Sequence, residues 1–242
     1  MIFSSLSPMK KSFAFFALFL ACVCARAQTP TPPSLVVFVD SLPIIIAAPQ
    51  PFVEVSRNLP DAFAQRSRAV AASGRLLAWF IPAQALKDQL DAKPVRTRTL
   101  QIQVMRDMEP VRYDAQSFAA LRNETLSATA APQITEAEAD TLFSILNLNR
   151  VAQRPGGQKL FGATQLDRDS FTLCIAVSTE GGDQMGGRKI EASVTCVTYL
   201  LIQGKILLLT VTAPDLTADE LRNALRLTRE WLALLHWPAK PS

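Results

Sequence analysis

The chain is predicted to be an α+β domain, a mainly antiparallel sheet of about six or seven strands flanked by helices as an αβα sandwich. Three observations carry that expectation. Residues 171–212 contain three successive strand patterns, capped helix patterns stand at 135–147 and 217–236, and further strand patterns recur at 75–81 and 95–105. With 49% hydrophobic residues in a chain of 242, the composition can fill one sizeable core. No stretch between 35 and 237 has the length and composition of a linker separating one core from another, so a single domain is expected there, followed by a tail at 238–242.

At the N-terminus, Met9-Lys10-Lys11, the apolar run 12–24 and Ala25-Arg26-Ala27 before Gln28 form the three regions of a secretory signal, so residues 1–27 are expected to be removed. The run of about thirteen residues is short of the roughly twenty that span a bilayer. Met9 would serve as the start as well as Met1. Cys22 follows Phe19-Leu20-Ala21 and Cys24 follows Ala21-Cys22-Val23, neither a good lipidation context. Membrane association is therefore expected only if one of them is lipidated. Removing the signal takes three basic residues and no acidic one, so the formal charge falls from +4 to +1. The basicity belongs to the targeting segment, and nucleic acid is not an expected partner. The mature chain is expected in the periplasm or outside the cell, where disulfides persist.

Residues 28–34, Gln-Thr-Pro-Thr-Pro-Pro-Ser, read as an extended Pro-rich linker. Short strands follow at 35–39 and 43–47, the second continuing as 52–55 beyond Pro49-Gln50-Pro51. Pro60-Asp61 opens a helix to about Ala72, with proline where its missing N–H is harmless. The apolar run 75–81 reads as a buried strand stopped by Pro82, and 83–90 as a short helix. In 95–105, Leu100, Ile102 and Val104 alternate with Thr99, Gln101 and Gln103, a strand covered on one side, with Arg96 and Arg98 reaching solvent. A helix from Asp114 to about Ala128 would bury Phe118, Leu121 and Leu126. Thr135 and Glu138 form a capping box ahead of a helix burying Ala139, Leu142, Phe143 and Leu146. After the loop 147–157, a strand at 158–164 leads into the central stretch.

In that stretch, Phe171, Leu173, Ile175 and Val177 alternate with smaller residues. Residues 192–202 are rich in β-branched and aromatic types, and the intervening 179–189 hold four of the nine glycines. If that loop folds symmetrically about Met185, Cys174 falls opposite Cys196, Thr172 opposite Thr198, and Phe171 opposite Tyr199. The facing cysteines are expected to form a disulfide in an oxidising compartment. Gln203-Gly204 then makes a tight turn into 205–211, a nearly all-apolar strand that suits a central place with both faces covered. Pro214 to Thr217, with Glu220 completing a second capping box, opens the last helix. Its stripe is Leu221, Ala224, Leu225, Thr228, Trp231, Leu232 and Leu235, and Arg222, Arg226 and Arg229 lie on another face.

Chemistry is harder to find. His236 is the single histidine, and its place at a helix end accounts for it without a catalytic role. No nucleophile, base and orienting group announce themselves, so no catalytic residue, metal ligand or cofactor site is assigned. Glu136, Glu138 and Asp140 are explained by the helix start they occupy. The glycine-rich 179–189 lacks the Lys and hydroxyl residue of a phosphate loop and is flanked by strands. It reads as a hairpin tip whose Glu180, Asp183, Met185, Arg188 and Lys189 form a candidate contact loop. Arg57, Arg66, Arg68 and Arg75 read as a solvated helix face.

The order of these elements, with Leu76-Leu77-Ala78-Trp79-Phe80, Lys159-Leu160-Phe161-Gly162, Gly204-Lys205-Ile206-Leu207 and a closing helix carrying Trp231, resembles the photosystem PsbP proteins and the DcrB-like periplasmic proteins over about residues 40 to 236. That resemblance implies a sheet sandwiched by helices and a non-catalytic accessory role, with no family site residue carried to a numbered position. The chain departs from DcrB-like lipoproteins in having no clear lipidation motif. The functional expectation is an exported accessory domain of the bacterial envelope, not an enzyme, that binds an envelope protein and needs no cofactor. The alternatives are a carboxylate-dependent hydrolase, or an envelope protein binding a lipid or small ligand in a deep apolar pocket. Oligomeric state is not readable.

Overall fold

The computed structural model describes residues 34–93, 95–146, 148, 151, 155–182 and 188–235, with the side chains of 181, 182, 188 and 189 left aside. The expectations for the signal segment, Asp183, Met185, His236 and the tail lie outside the described residues. Those described belong to one compact unit, Pro33–Ser242.

The chain is α+β. Nine strands are described: β1 (Ser34–Val39), β2 (Leu42–Ala47), β3 (Phe52–Glu54), β4 (Gly74–Pro82), β5 (Thr99–Met105), β6 (Gln158–Asp167), β7 (Ser170–Gly182), β8 (Arg188–Ile202) and β9 (Lys205–Ala213). The described helices are α1 (Pro60–Val70), α2 (Ala83–Leu90), α3 (Ala115–Thr129), α4 (Ala139–Ile145), entered by a 3₁₀ turn at Glu136–Glu138, and α5 (Ala218–Leu235). Seven strands form one antiparallel sheet in the order β3-β4-β5-β9-β8-β7-β6, while β1 and β2 pair separately. The sequence treats 52–55 as a continuation of 43–47. Instead, after Pro49-Gln50-Pro51, β3 pairs with β4, so the prolines hand the chain from the small sheet to the large one.

β9 is the central strand, as its composition requires. Leu207, Leu209, Val211 and Ala213 point to one face and join the main core, while Ile206 points to the other and packs with Phe118 and Phe171. The turn into β9 is a two-residue hairpin with Gln203 at φ 51° and Gly204 at φ 79°, the positive pair a primed turn needs. On the main-core face lie α5 and the β1–β2 hairpin. The predicted α5 stripe is buried in full, with Leu227 added. Trp231 is 1% exposed, meets Phe80 edge-on at 6.2 Å and donates from Nε1 to the Ala47 carbonyl at 2.8 Å, binding helix, hairpin and sheet together.

The 3₁₀ turn and α4 lie beside α5. The Thr135–Glu138 capping box forms, and Phe143 stacks on Phe161 of β6 at 5.1 Å. β6 carries a bulge at Phe161-Gly162, where the backbone passes so close to Pro132 and Ile134 that a Cβ on Gly162 would lie 2.4 Å from the Pro132 carbonyl oxygen. On the opposite face α3 covers one end of the strands. Its Asp114 cap accepts from the Ser117 amide and hydroxyl, bonds that hold the carboxyl below its ordinary range.

The β7–β8 register follows the symmetric prediction pair by pair, including Cys174↔Cys196, Thr172↔Thr198 and Phe171↔Tyr199. The cysteines are disulfide-bonded, with Cα atoms 4.1 Å apart, the close spacing of a non-hydrogen-bonded pair. One expectation is corrected. The strands continue to Gly182 and restart at Arg188, so Glu180, Arg188 and Lys189 lie in paired strand ends rather than in a loop. The closed face of β7 is the one bearing Thr172, Cys174 and Ala176, all fully buried, whereas Leu173, Ile175 and Val177 are half-buried.

Two outcomes are expected. Replacing both cysteines by alanine should lower unfolding stability by about 3 kcal/mol, the chain-entropy value for a loop near twenty residues, and should remove the reductant-dependent mobility of the wild type on a non-reducing gel. Lys205 is 1% exposed and donates from Nζ to Asp40 Oδ2 at 3.0 Å and to the Glu109 carbonyl at 2.7 Å. Asp40→Ala strands that ammonium and should cost about 1–3 kcal/mol by urea unfolding, and Lys205→Met should cost less, since it removes the buried charge along with its need.

Candidate functional site

The largest cleft described, about 460 Å³, opens where β3, the segment before β5 and the first half of α5 meet. Gln50, Pro51 and Phe52 form one wall, Arg96, Thr97 and Arg98 the floor, and Glu220, Asn223, Arg226 and Glu230 the other wall. The sequence sends Arg96 and Arg98 out from a strand into solvent. The strand begins only at Thr99, and both arginines turn onto their own chain.

Arg98 makes a two-pronged contact with Glu220, Nε to Oε2 at 2.9 Å and Nη2 to Oε1 at 2.7 Å, which raises its pKa above the ordinary value. This contact revises the second capping box. The Thr217 hydroxyl accepts from the Glu220 amide at 3.2 Å, but the Glu220 carboxylate goes across to Arg98. Half the box is thus exchanged for a link between the start of α5 and the sheet. Arg96 donates to the carbonyls of Ala192 and Pro214 and pairs with Asp215 at 3.1 Å. Arg226 donates to Asn223 and lies 3.9 Å from Glu230. The cleft is open, with Pro82, Pro214 and Leu227 among its lining beside the charged residues, and those charges are largely satisfied by one another. Both of its carboxylates, Glu220 and Glu230, face arginines.

The other acidic residues singled out in the sequence are also engaged. Glu138 caps Thr135, Glu136 pairs with Arg229 at 2.8 Å, and Asp140 accepts from Arg222 at 2.6 Å. Two bonds to carboxylates, Asp219 and Asp140, raise the Arg222 pKa. Among the described residues no three His, Cys, Asp or Glu side chains gather as a metal site would need. The four arginines read as a solvated face are all exposed, but they make different contacts. Arg75 bonds Glu109 and the Phe38 carbonyl, Arg57 borders a small hollow with Leu35 and Phe80, Arg66 lies over Gln101, and Arg68 stands on α1.

The candidate contact residues belong to a ribbon. β6 pairs with β7 as far as Val177, and β9 pairs with β8 as far as Val194. Ser178 is still held by Gly156 and Gly157 through backbone bonds of 2.9 Å. Beyond it, the pairs Thr179↔Glu191, Glu180↔Ile190, Gly181↔Lys189 and Gly182↔Arg188 run on, with no third strand paired to them among the described residues. Thr179 and Glu180 are exposed, and the disulfide joins the same two strands within the sheet, five register pairs earlier. Alternation of sequence pattern pointed to the hairpin; the extra length was hidden because glycines discourage a strand assignment.

No family model and no curated protein matches the chain. Among solved structures it is similar to the Ran-binding protein Mog1p of Saccharomyces cerevisiae, at 9% identity and a TM-score of 0.36 over 84% of this chain and 93% of that one. It is likewise similar to a mutant form of protein Mog1, at 10% identity and a TM-score of 0.37 over 83% and 94%. At these values the likeness assigns neither family nor partner to this chain.

The Arg98–Glu220 pair should show a coupling energy of about 1 kcal/mol in a double-mutant cycle of Arg98→Met and Glu220→Gln followed by urea unfolding, since the contact is two-pronged but the arginine is more than a third exposed. A coupling near zero would mean that the cleft's charges act independently.

Proposed function

We propose that the chain is an exported, disulfide-bonded binding domain that engages a protein of the cell envelope through the β7–β8 ribbon and performs no chemistry itself. The observation that carries this reading is the ribbon, four register pairs continuing past both neighbouring strands. A two-stranded ribbon on its own is of marginal stability, and among the described residues no third strand lies along it. Such a ribbon suits addition of a partner's strand, where main-chain hydrogen bonds supply affinity. The Cys174–Cys196 bond ties the same two strands together within the sheet, five register pairs before Thr179.

Export is supported by the N-terminal signal pattern and by the disulfide, and among the described residues no helix is long and apolar enough to cross a membrane. A non-catalytic role is supported by the engagement of the cleft's charges with one another. The PsbP-like and DcrB-like resemblance points the same way, toward an accessory rather than an enzyme.

A photo-cross-linking residue at exposed Thr179, introduced in the producing cell, should yield a discrete adduct with one envelope protein. The same residue at Arg168, whose side chain is 84% exposed on the β6–β7 turn at the opposite end of the hairpin, should not. Identical adducts from both positions, or none from Thr179, would remove the ribbon as a contact device.

A further inference from the structure

The sheet face that carries α1, α2 and α3 is incompletely covered. α3 closes it over Phe171, Tyr199 and Ile206, while Val55, Ile81 and Ala85 form a separate cluster with Trp79. Leu160, Leu173, Ile175, Val177 and Val197 share this face by register and are left half-buried. One cross-strand row on it runs Trp79, Gln101, Thr210, Val197, Leu173.

The polar end of that row is unfinished. Arg66 of α1 reaches Gln101, which is 3% exposed and, with its amide oxygen turned to the guanidinium, accepts from Nε at 2.9 Å and Nη2 at 2.8 Å. Among the described residues no carboxylate pairs with Arg66. Arg66 is exposed at the surface, and the contact of its guanidinium with the sheet lowers its pKa from the ordinary value by partial desolvation. On either side of Gln101, buried Trp79 Nε1 and buried Thr210 Oγ1 have no hydrogen-bond partner, and Thr210 is 8% exposed. Guanidinium, indole N–H and hydroxyl are all donors. An exposed cation with no carboxylate partner among the described residues can pair with an incoming carboxylate, and unsatisfied groups like those beneath it are rare in a finished core.

We propose that this strip is the docking site for a segment of a partner protein that sets an Asp or Glu carboxylate on Arg66 and lays apolar side chains on Leu173, Ile175 and Val197. The carboxylate meets Arg66 first, because Arg66 is exposed whereas Trp79 Nε1 and Thr210 Oγ1 are buried. A fatty acid has the same charge and an apolar tail, but a tail needs enclosure on all sides and this strip is an open strand surface. A second copy of the chain in an isologous contact would bring donors against donors. The side chains involved are not those of the ribbon, so this inference does not depend on it.

The test uses the full chain and a displayed library of random 16-residue peptides. Selected binders should be enriched in Asp or Glu flanked by apolar residues. Their affinity should fall about tenfold or more for Arg66→Gln and for Ile175→Asp, and they should move the Trp79 indole N–H signal in a ¹⁵N spectrum. Arg66→Gln is expected to fold, since α1 has no buried residue. Recovery of no binder, binders without acidic enrichment, binders indifferent to both substitutions, or palmitate moving the same signals as strongly as the peptides would each overturn the proposal. If Thr179 gives no adduct while the peptides depend on Arg66, only the ribbon reading fails.

Discussion

The demand that both faces of β9 be covered organises the molecule. A strand fourth of seven, with nearly every residue buried, cannot stand at a sheet surface. One face draws down α5, whose apolar stripe is long enough to lie along β8 and β9. Where that helix stops covering the sheet, the β1–β2 hairpin takes over, and Trp231 is the joint between them. The other face has only short or lightly attached helices. α1 buries no residue and α3 buries Phe118 alone, so coverage there is partial from the outset. Asymmetry between the faces is therefore set by helix composition, and the half-buried strip is its consequence.

The disulfide sits on the closed face, at the point of closest strand approach, among residues that are all small: Thr172, Ala176, Val194 and Thr198. Large side chains there would collide with α5. The two threonines bond each other at 2.8 Å, which satisfies buried hydroxyls without any contribution from the helix. Bulk is thereby displaced to the odd-numbered positions of β7. These give the sequence its alternation, and they face the side that lacks a full cover.

This explains what was legible in the sequence and what was not. The register was readable, because hairpin pairing is local and a symmetric loop fixes every pair at once. The Gly204 turn and the α5 stripe were readable for the same reason: each depends on residues within a turn or two. Which face of β7 closes was not, because period-2 alternation reports that two faces differ without saying which has the helix. Lys205 looked like the polar start of a strand, and its burial rests on Asp40, 165 residues away. Glu220 looked like the end of a capping box, and its carboxylate is claimed by Arg98 across 122 residues. Arg66 looked like one of four solvated arginines, and its position on Gln101 exists only once α1 lies over the sheet. Charged residues in this chain are assigned by tertiary neighbours, so local motif reading misplaces them most often.

Those assignments bear on function through what they leave over. Most ionic groups of the cleft and of α5 are matched within the chain, and a matched group gains little from an outside ligand because its own partner must first be displaced. A ligand is therefore recognised best where matching is incomplete. On the described surface two places meet that condition, one in backbone groups and one in side chains. Beside the ribbon no further strand is paired among the described residues. The Arg66 strip carries a cation with no carboxylate partner among the described residues, next to half-buried apolar surface. Both open on surfaces broad enough for a polypeptide, and neither assembles the nucleophile, base and enclosed volume that turnover of a small substrate demands. The same economy that makes the cleft unpromising as an active site directs attention to the sheet as a binding surface.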